Sequence, residues 1–324
     1  MNRISMIGVA AVALLALSGC TDSEAGAESP AASEGAAELT PVTVGVIPIA
    51  DTAPLYLGDA QGFFEGAGLD LTIETATGGA AIVPAVVAGD YQFGFSNVLS
   101  LMVANEKGLG LETVSPAVAT TGDSDADFGA IIVKADSPIQ SPADLAGKTV
   151  SSNSLGNIND TIVRTLVDDA GADSSTISFV EVPFPDAIAA VENSQVDAAF
   201  VVEPFVTSAL EAGDRVISYA YADFDPKLDI AAYFATSDYV EGDPEVVEKF
   251  QTAMQQSLEY AQENPDAVRD IIATYTKTPP ETLAKIVLPT WPTAIDEDAL
   301  QKLAEAAQSY GVLTQEPDLD SLLQ

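Results

Sequence analysis

Histidine is missing altogether from the 324 residues, cysteine occurs once, and Lys plus Arg number only 12 against 49 Asp plus Glu. Each shortage excludes something. Without histidine the chain lacks the commonest general base near neutral pH and the commonest metal ligand. A lone cysteine forms no internal disulfide and no thiolate metal cluster. Catalysis would have to rest on carboxylates, Lys, Tyr or hydroxyls with no histidine partner, so no catalytic residue, metal or cofactor is expected. The net charge of −37 repels nucleic-acid phosphates and anionic lipid headgroups, which sets aside DNA, RNA and polybasic membrane docking. The acidic excess reads as a solvated, solubilising surface.

What is present is globular in composition. Apolar residues make up 47% and charged residues 19%, and the length suits two modest domains better than one core.

The first residues read as an address. Arg3 supplies a positive start, and Ile4 to Leu17 are apolar apart from Ser5 and Gly8. That run is short for a membrane span of about 20 residues and fits a secretory signal over 1–19. Its ending, Leu17-Ser18-Gly19-Cys20, resembles a bacterial lipobox. The resemblance implies cleavage before Cys20, lipidation of its sulfur, and anchoring at the extracytoplasmic face of the cell membrane. Residues 20–40 are rich in Ala, Ser, Glu and Gly with Leu39 as the one long apolar side chain, and read as a flexible tether reaching roughly 25 Å.

From Pro41 the pattern alternates strand and helix. Strands are expected over 42–48, 69–75, 91–95 and 111–119, with helices from Thr52 to Gly66, from Ala80 to Ala88, and from Ser96-Asn97 to Gly108. After a polar break at 120–127 a second such series follows. It has strands at 128–134, 148–152, 177–182 and 196–202, a short helix at 141–146, and helices at 155–170, 186–193 and 204–212. Residues 215–221 and 230–236 are apolar again, and from Asp243 the reading is helical, including 243–263, 265–276, 280–287 and 296–310. Such alternation indicates an α/β fold with parallel strands.

An ordered set of segments carries a family resemblance. It runs from Val44-Gly45-Val46-Ile47-Pro48 and Ala53-Pro54-Leu55-Tyr56 through Gly62-Phe63-Phe64-Glu65, Gly68-Leu69-Asp70-Leu71 and Val87-Ala88-Gly89-Asp90-Tyr91-Gln92-Phe93-Gly94. It continues with Ala143-Asp144-Leu145-Ala146-Gly147-Lys148, Val196-Asp197-Ala198-Ala199 and Glu203-Pro204. In these the chain resembles the solute-binding proteins of ABC importers for nitrate, sulfonates, taurine and thiamine precursors. The resemblance implies a type II periplasmic-binding fold of two α/β lobes joined by two hinge crossings, for which the strand-like stretches near 128–134 and 230–236 are the candidates. The first lobe would be 41–128 with 235–324, and the second 129–234. It also implies a monomeric binding protein, not an enzyme, that passes its ligand to a permease and ATPase.

In open α/β sheets the ligand lies outside the carboxyl ends of the strands, where helix N-termini point at it. Here those loops hold Asp51, Thr52, Gly78, Gly79, Ser96 and Asn97 on one side and Asn153, Ser154, Asn157, Asn159 and Glu203 on the other. The Ser, Thr and Asn residues read equally well as helix caps. Tyr56, Phe95, Phe184, Phe205, Tyr233 and Trp291 are candidates for a stacking face, or for plain core, with Tyr233 taken into the candidate site. No Lys or Arg falls in the loops, whereas Asp51 and Glu203 do. That favours a neutral or cationic ligand, such as a thiamine-type pyrimidine, over an anion. Nitrate, taurine or a sulfonate stays open as an alternative, because helix N-termini alone can hold anions. An enzyme on the same fold and a ligand sensor that feeds no importer are the remaining readings.

Overall fold

A computed structural model describes residues 39–323. The expected signal, Cys20 and the tether up to residue 38 lie outside the described residues.

The described residues form two five-stranded sheets. The first is built from β1 (Thr40–Val46), β2 (Leu69–Thr75), β3 (Phe93–Asn97), β4 (Leu111–Ala119) and β10 (Asp229–Thr236). The second is built from β5 (Gly129–Val133), β6 (Thr149–Ser152), β7 (Ser178–Glu181), β8 (Ala198–Val202) and β9 (Arg215–Ser218). The strand orders are β2-β1-β3-β10-β4 and β7-β6-β8-β5-β9. In each sheet four strands run in one direction, and the fifth, β10 or β5, runs antiparallel between its neighbours. Central strands such as β5 and β8 are buried on both faces and accordingly read as unbroken apolar runs, GAIIV and AAFVV.

The helices that follow the strands of the first sheet are α1 (Ala53–Ala60), α2 (Phe63–Gly66), α3 (Gly79–Val87) and α4 (Val98–Glu106). Those of the second are α5 (Ile158–Asp169), α6 (Phe184–Glu192), α7 (Phe205–Ala212) and α8 (Ala220–Phe224). The C-terminal part adds α9 (Ser237–Gly242), α10 (Pro244–Glu263), α11 (Pro265–Tyr275), α12 (Pro280–Leu283), α13 (Glu297–Ser309) and α14 (Leu319–Leu322). Along α10, Val247, Phe250, Met254, Leu258 and Ala261 recur every three or four residues and are buried. This stripe packs on α1, α2 and the first sheet, with Phe250 stacked on Phe93 at 3.9 Å. α10 thus returns to the first sheet, whereas α13 packs on both α4 and α5 and α12 on α7.

The antiparallel strands are those that arrive after a crossing between sheets. The first crossing is 120–128 and the second 225–228, and the two touch: Thr120 N donates to Leu228 O at 3.0 Å. Asp127 ties the first crossing to α8. Its carboxylate accepts from Thr120 Oγ1 at 2.5 Å, Thr121 N at 3.0 Å, Phe128 N at 2.8 Å and Ala222 N at 3.0 Å. A third segment lies alongside, because Ala119 and Thr290 exchange backbone hydrogen bonds of 2.9 and 3.1 Å. The sequence reading put the first crossing near 128–134, which is β5 of the second sheet, and the second at 230–236 with the lobe boundary at 234. The latter residues form β10, paired along its length with β3 and β4, so the strand belongs to the first sheet and the crossing precedes it.

Other boundaries shift for local reasons. The helix expected from Leu155 starts at Ile158, because Asn157 and Asp160 form a capping box there and Gly156 is left-handed at φ 59°. The apolar run 215–221 is divided between β9 and α8, and the helix expected over 280–287 ends at Leu283. Thr40, assigned to the tether, already pairs with Leu69 in β1.

Candidate functional site

The carboxyl ends of β1, β3, β6 and β8 converge on a small cavity between the two sheets, about 30 Å³ in volume. Its polar lining is Asp51, Asn97, Asn153, Asn159 and Tyr221, and its apolar lining includes Ile47, Ile49, Phe95, Ile158, Phe184 and Ile230. No Lys or Arg is among these residues. Immediately beside it is an apolar space of about 100 Å³ between Ile47-Pro48-Ile49, Ala76-Thr77, Pro183-Phe184-Pro185 and Phe205. A larger groove of about 600 Å³ lies away from these strand ends, between α4 and the C-terminal residues. Its Glu106 carboxylate is already occupied by Thr314 N, Thr314 Oγ1 and Gln315 N.

Asp51 is the dominant electrostatic feature of the cavity. It sits in the short 3-10 turn Ala50–Thr52, is 3% exposed, and its Oδ1 is buried with no hydrogen-bond partner. Burial pushes its carboxyl up to about 7, its own backbone N–H pulls in the other direction, and the charge of Asp127 adds to the rise. Thr52 holds the turn in place by donating its hydroxyl to Ile47 O at 2.9 Å. Facing Asp51 is an ordered amide chain: Tyr221 Oη donates to Asn159 Oδ1 at 3.2 Å, and Asn159 Nδ2 donates to Asn153 Oδ1 at 3.0 Å. Asn97 caps α4, its Oδ1 accepting from Ser100 N at 2.9 Å. The cavity therefore offers one carboxyl acceptor and several amide groups, enclosed by Ile and Phe side chains.

Of the residues singled out in the sequence, Asp51, Phe95, Asn97, Asn153, Asn159 and Phe184 line this cavity, and Phe205 lines the apolar space beside it. Others stand around it with different work. Gly78 faces the second sheet: a Cβ there would lie 3.1 Å from Ser154 Oγ. Gly79 lets α3 approach β3, since its Cβ would be 2.3 Å from Ser96 Oγ. Ser96 Oγ is buried without a partner. Ser154 accepts from Ser152 Oγ at 2.8 Å through its carbonyl. Asn157 caps α5 and joins the two sides, its Nδ2 donating to Ser100 Oγ at 2.8 Å.

Four candidates are placed elsewhere. Glu203 is fully buried and turned away from the cavity. Its carboxylate accepts from Thr207 N at 3.0 Å, Thr207 Oγ1 at 2.7 Å and Val287 N at 3.1 Å, and burial raises it to about 7 against those bonds. It starts a helix and ties it to the C-terminal segment, across a cis bond to Pro204. Tyr233 is packed in the first sheet against Phe95 and Phe250 at 5.6 and 5.9 Å. Trp291 is buried, its backbone N–H bonded to Gln262 Oε1, and is no part of the cavity lining. Tyr56 stacks on Tyr275 at 3.9 Å. Reasoning from the sequence did not reach Tyr221 or the isoleucines 47, 49, 158 and 230. Tyr221 lies in α8, ahead of the second crossing, and no local pattern marks it; the isoleucines read as ordinary core.

Two matching sheets joined by paired crossings, with a cavity at their facing strand ends, are the architecture of a periplasmic binding protein. Solved structures agree. The periplasmic aliphatic sulphonate binding protein SsuA from Escherichia coli is similar at TM-score 0.70 and 16% identity, over 88% of this chain and 92% of that one. The periplasmic nitrate-binding protein NrtA from Synechocystis PCC 6803 is similar at TM-score 0.73 and 14% identity, over 88% of this chain and 84% of that one. Residues 49–268 match the NMT1/THI5-like family, and the chain belongs to it. A curated relative, the formylaminopyrimidine-binding protein of Halalkalibacterium halodurans, is 26% identical over 249 residues, covering 75% of this chain and 72% of its own.

Proposed function

We propose that the protein is the substrate-binding component of an ABC importer, working as a monomer lipid-anchored through Cys20 at the extracytoplasmic face of the membrane. It takes a small neutral or cationic solute that carries hydrogen-bond donors, a thiamine-pyrimidine-like heteroaromatic among the candidates, and hands it to a permease and its ATPase. The observation that carries this reading is Asp51 Oδ1, buried and unpartnered at a cavity whose lining has no basic side chain. A buried anion there would meet a carboxylate and no guanidinium fork. A ligand N–H or ammonium would supply the bond that Asp51 lacks, and an unmade buried bond costs about 1–3 kcal/mol. The pairing of the crossings at Thr120 and Leu228 is suited to hinge closure over the ligand. The formylaminopyrimidine-binding relative supports the same class of ligand.

The test is a thermal-shift screen of the form lacking residues 1–20 with aminopyrimidines, primary amines, taurine, aliphatic sulfonates and nitrate. Ligands with donor groups should raise the melting temperature by mass action, about 2.7 kcal/mol of stabilisation at a hundredfold excess over Kd. Stabilisation by nitrate or a sulfonate with no response to amines or pyrimidines would overturn the ligand assignment in favour of anion capture at the helix starts of α3, α4 and α5.

A further inference from the structure

We infer that Phe184 divides the cleft into an inner polar chamber and an outer apolar one, so that the ligand is head-and-body in form: a compact donor group reaches Asp51 while an apolar body rests outside against Phe184 and Phe205. This rests on the solute-binding reading above and specifies the shape and orientation of the solute. The two spaces adjoin. Ile47, Ile49 and Phe184 line both, and Phe184 is 4% exposed at the boundary. Their linings are opposite in character. The inner chamber has Asp51, Asn97, Asn153, Asn159 and Tyr221, whereas Thr77 is the one residue with a polar side chain around the outer chamber.

Size separates them as well. One water needs about 10–15 Å³. The inner volume of about 30 Å³ admits two or three non-hydrogen atoms, enough for an ammonium or amino group on its carbon but too little for a ring. The outer volume of about 100 Å³ accepts several more. Phe184 and Phe205 present near-parallel rings, 6.4 Å between centroids and 23° apart, as its aromatic wall. A solute that is polar throughout would leave that wall unused. One that is apolar throughout would leave Asp51 Oδ1 buried without a bond.

The experiment is isothermal titration of the full chain in detergent at pH 8 with methylammonium, propylammonium, pentylammonium and benzylammonium. Affinity should rise along the series by about three- to fourfold per methylene, from the apolar area removed from water. In Phe205→Ala that gain per methylene should shrink by half or more. Ammonium ions that bind with affinity flat across the series within twofold would overturn the two-chamber assignment and leave the solute-binding reading standing. Absence of binding by any ammonium ion, with nitrate or methanesulfonate binding instead, would overturn the two-chamber assignment and the donor-ligand assignment together and leave solute binding itself standing.

Discussion

A carboxyl such as Asp51, buried at a cavity with one oxygen unbonded, weakens the fold it belongs to. In the unfolded chain it titrates near 3.8, and in the folded chain burial lifts it to about 7. The folded form therefore holds its proton more tightly, so the stability this group contributes is present below pH 4 and is lost as pH rises through 7. Three units correspond to roughly 4 kcal/mol. We expect Asp51→Asn to stabilise the ligand-free protein at pH 8 by up to about 4 kcal/mol in urea denaturation, and by less than half as much at pH 5. The same change should weaken binding of an ammonium ligand more than tenfold. Stabilisation together with loss of binding is the mark of a functional residue; a substitution that destabilised the protein at pH 8 would remove Asp51 from that role. Glu203 predicts the opposite. Both of its carboxylate oxygens accept bonds from Thr207 or Val287, so Glu203→Ala strands one buried and one half-buried backbone donor and a hydroxyl. The expected cost is about 2–4 kcal/mol in the same denaturation measurement, and a neutral result would show that the Val287 segment detaches readily.

Between elements, the adjacent glycines at the start of α3 separate folding from closing. At Gly79 a methyl group would press on Ser96 Cα at 2.8 Å as well as on its hydroxyl, and backbone cannot move aside cheaply. Gly79→Ala should cost about 1–3 kcal/mol of stability by overpacking. At Gly78 the nearest atom is Ser154 Oγ at 3.1 Å, on the facing side of the cleft. Gly78→Ala should leave the melting temperature of the ligand-free protein within about 2 °C and weaken ligand binding severalfold; a large melting shift would place Gly78 with its neighbour as a folding residue. The Gly-Gly pair was visible in the sequence, and so were the strand-helix alternation and the polar caps, because periodicity and capping are local signals. Asp51, Asn97 and Asn153 followed from them as loop residues at strand ends. What stayed hidden depends on contacts far apart in the chain. β10 looks like a linker strand until it is seen pairing with β3 and β4, and Tyr221 meets Asn159 across 62 residues. Glu203 misled because a helix-starting carboxylate reads the same whether it faces a ligand or Val287.

At the scale of the molecule, charge and the paired crossings both bear on the proposed closure. A net charge of −37 opposes compaction, so salt that screens it should raise the melting temperature, most steeply below about 0.15 M where the Debye length exceeds 8 Å. The two sides are held together near the cleft by the Ser100–Asn157 pair, one residue on α4 and the other capping α5, 5% and 6% exposed. Opening the hinge would expose both groups to water, which would then take over their bonding. Removing the hydroxyl therefore penalises only the shut form, in which Asn157 Nδ2 would be buried without its partner. Ser100→Ala should shift the balance toward open by about 1.4 kcal/mol, or tenfold in apparent affinity. Ser100 is the better variant than Asn157, whose loss would also uncap α5. Small-angle scattering through a ligand titration reads the effect directly: the contraction should occur in both proteins but need about ten times more ligand in Ser100→Ala. If the two curves coincide within twofold, the pair carries no closing energy, and the paired crossings, the first tied to α8 by Asp127, must set the balance by themselves.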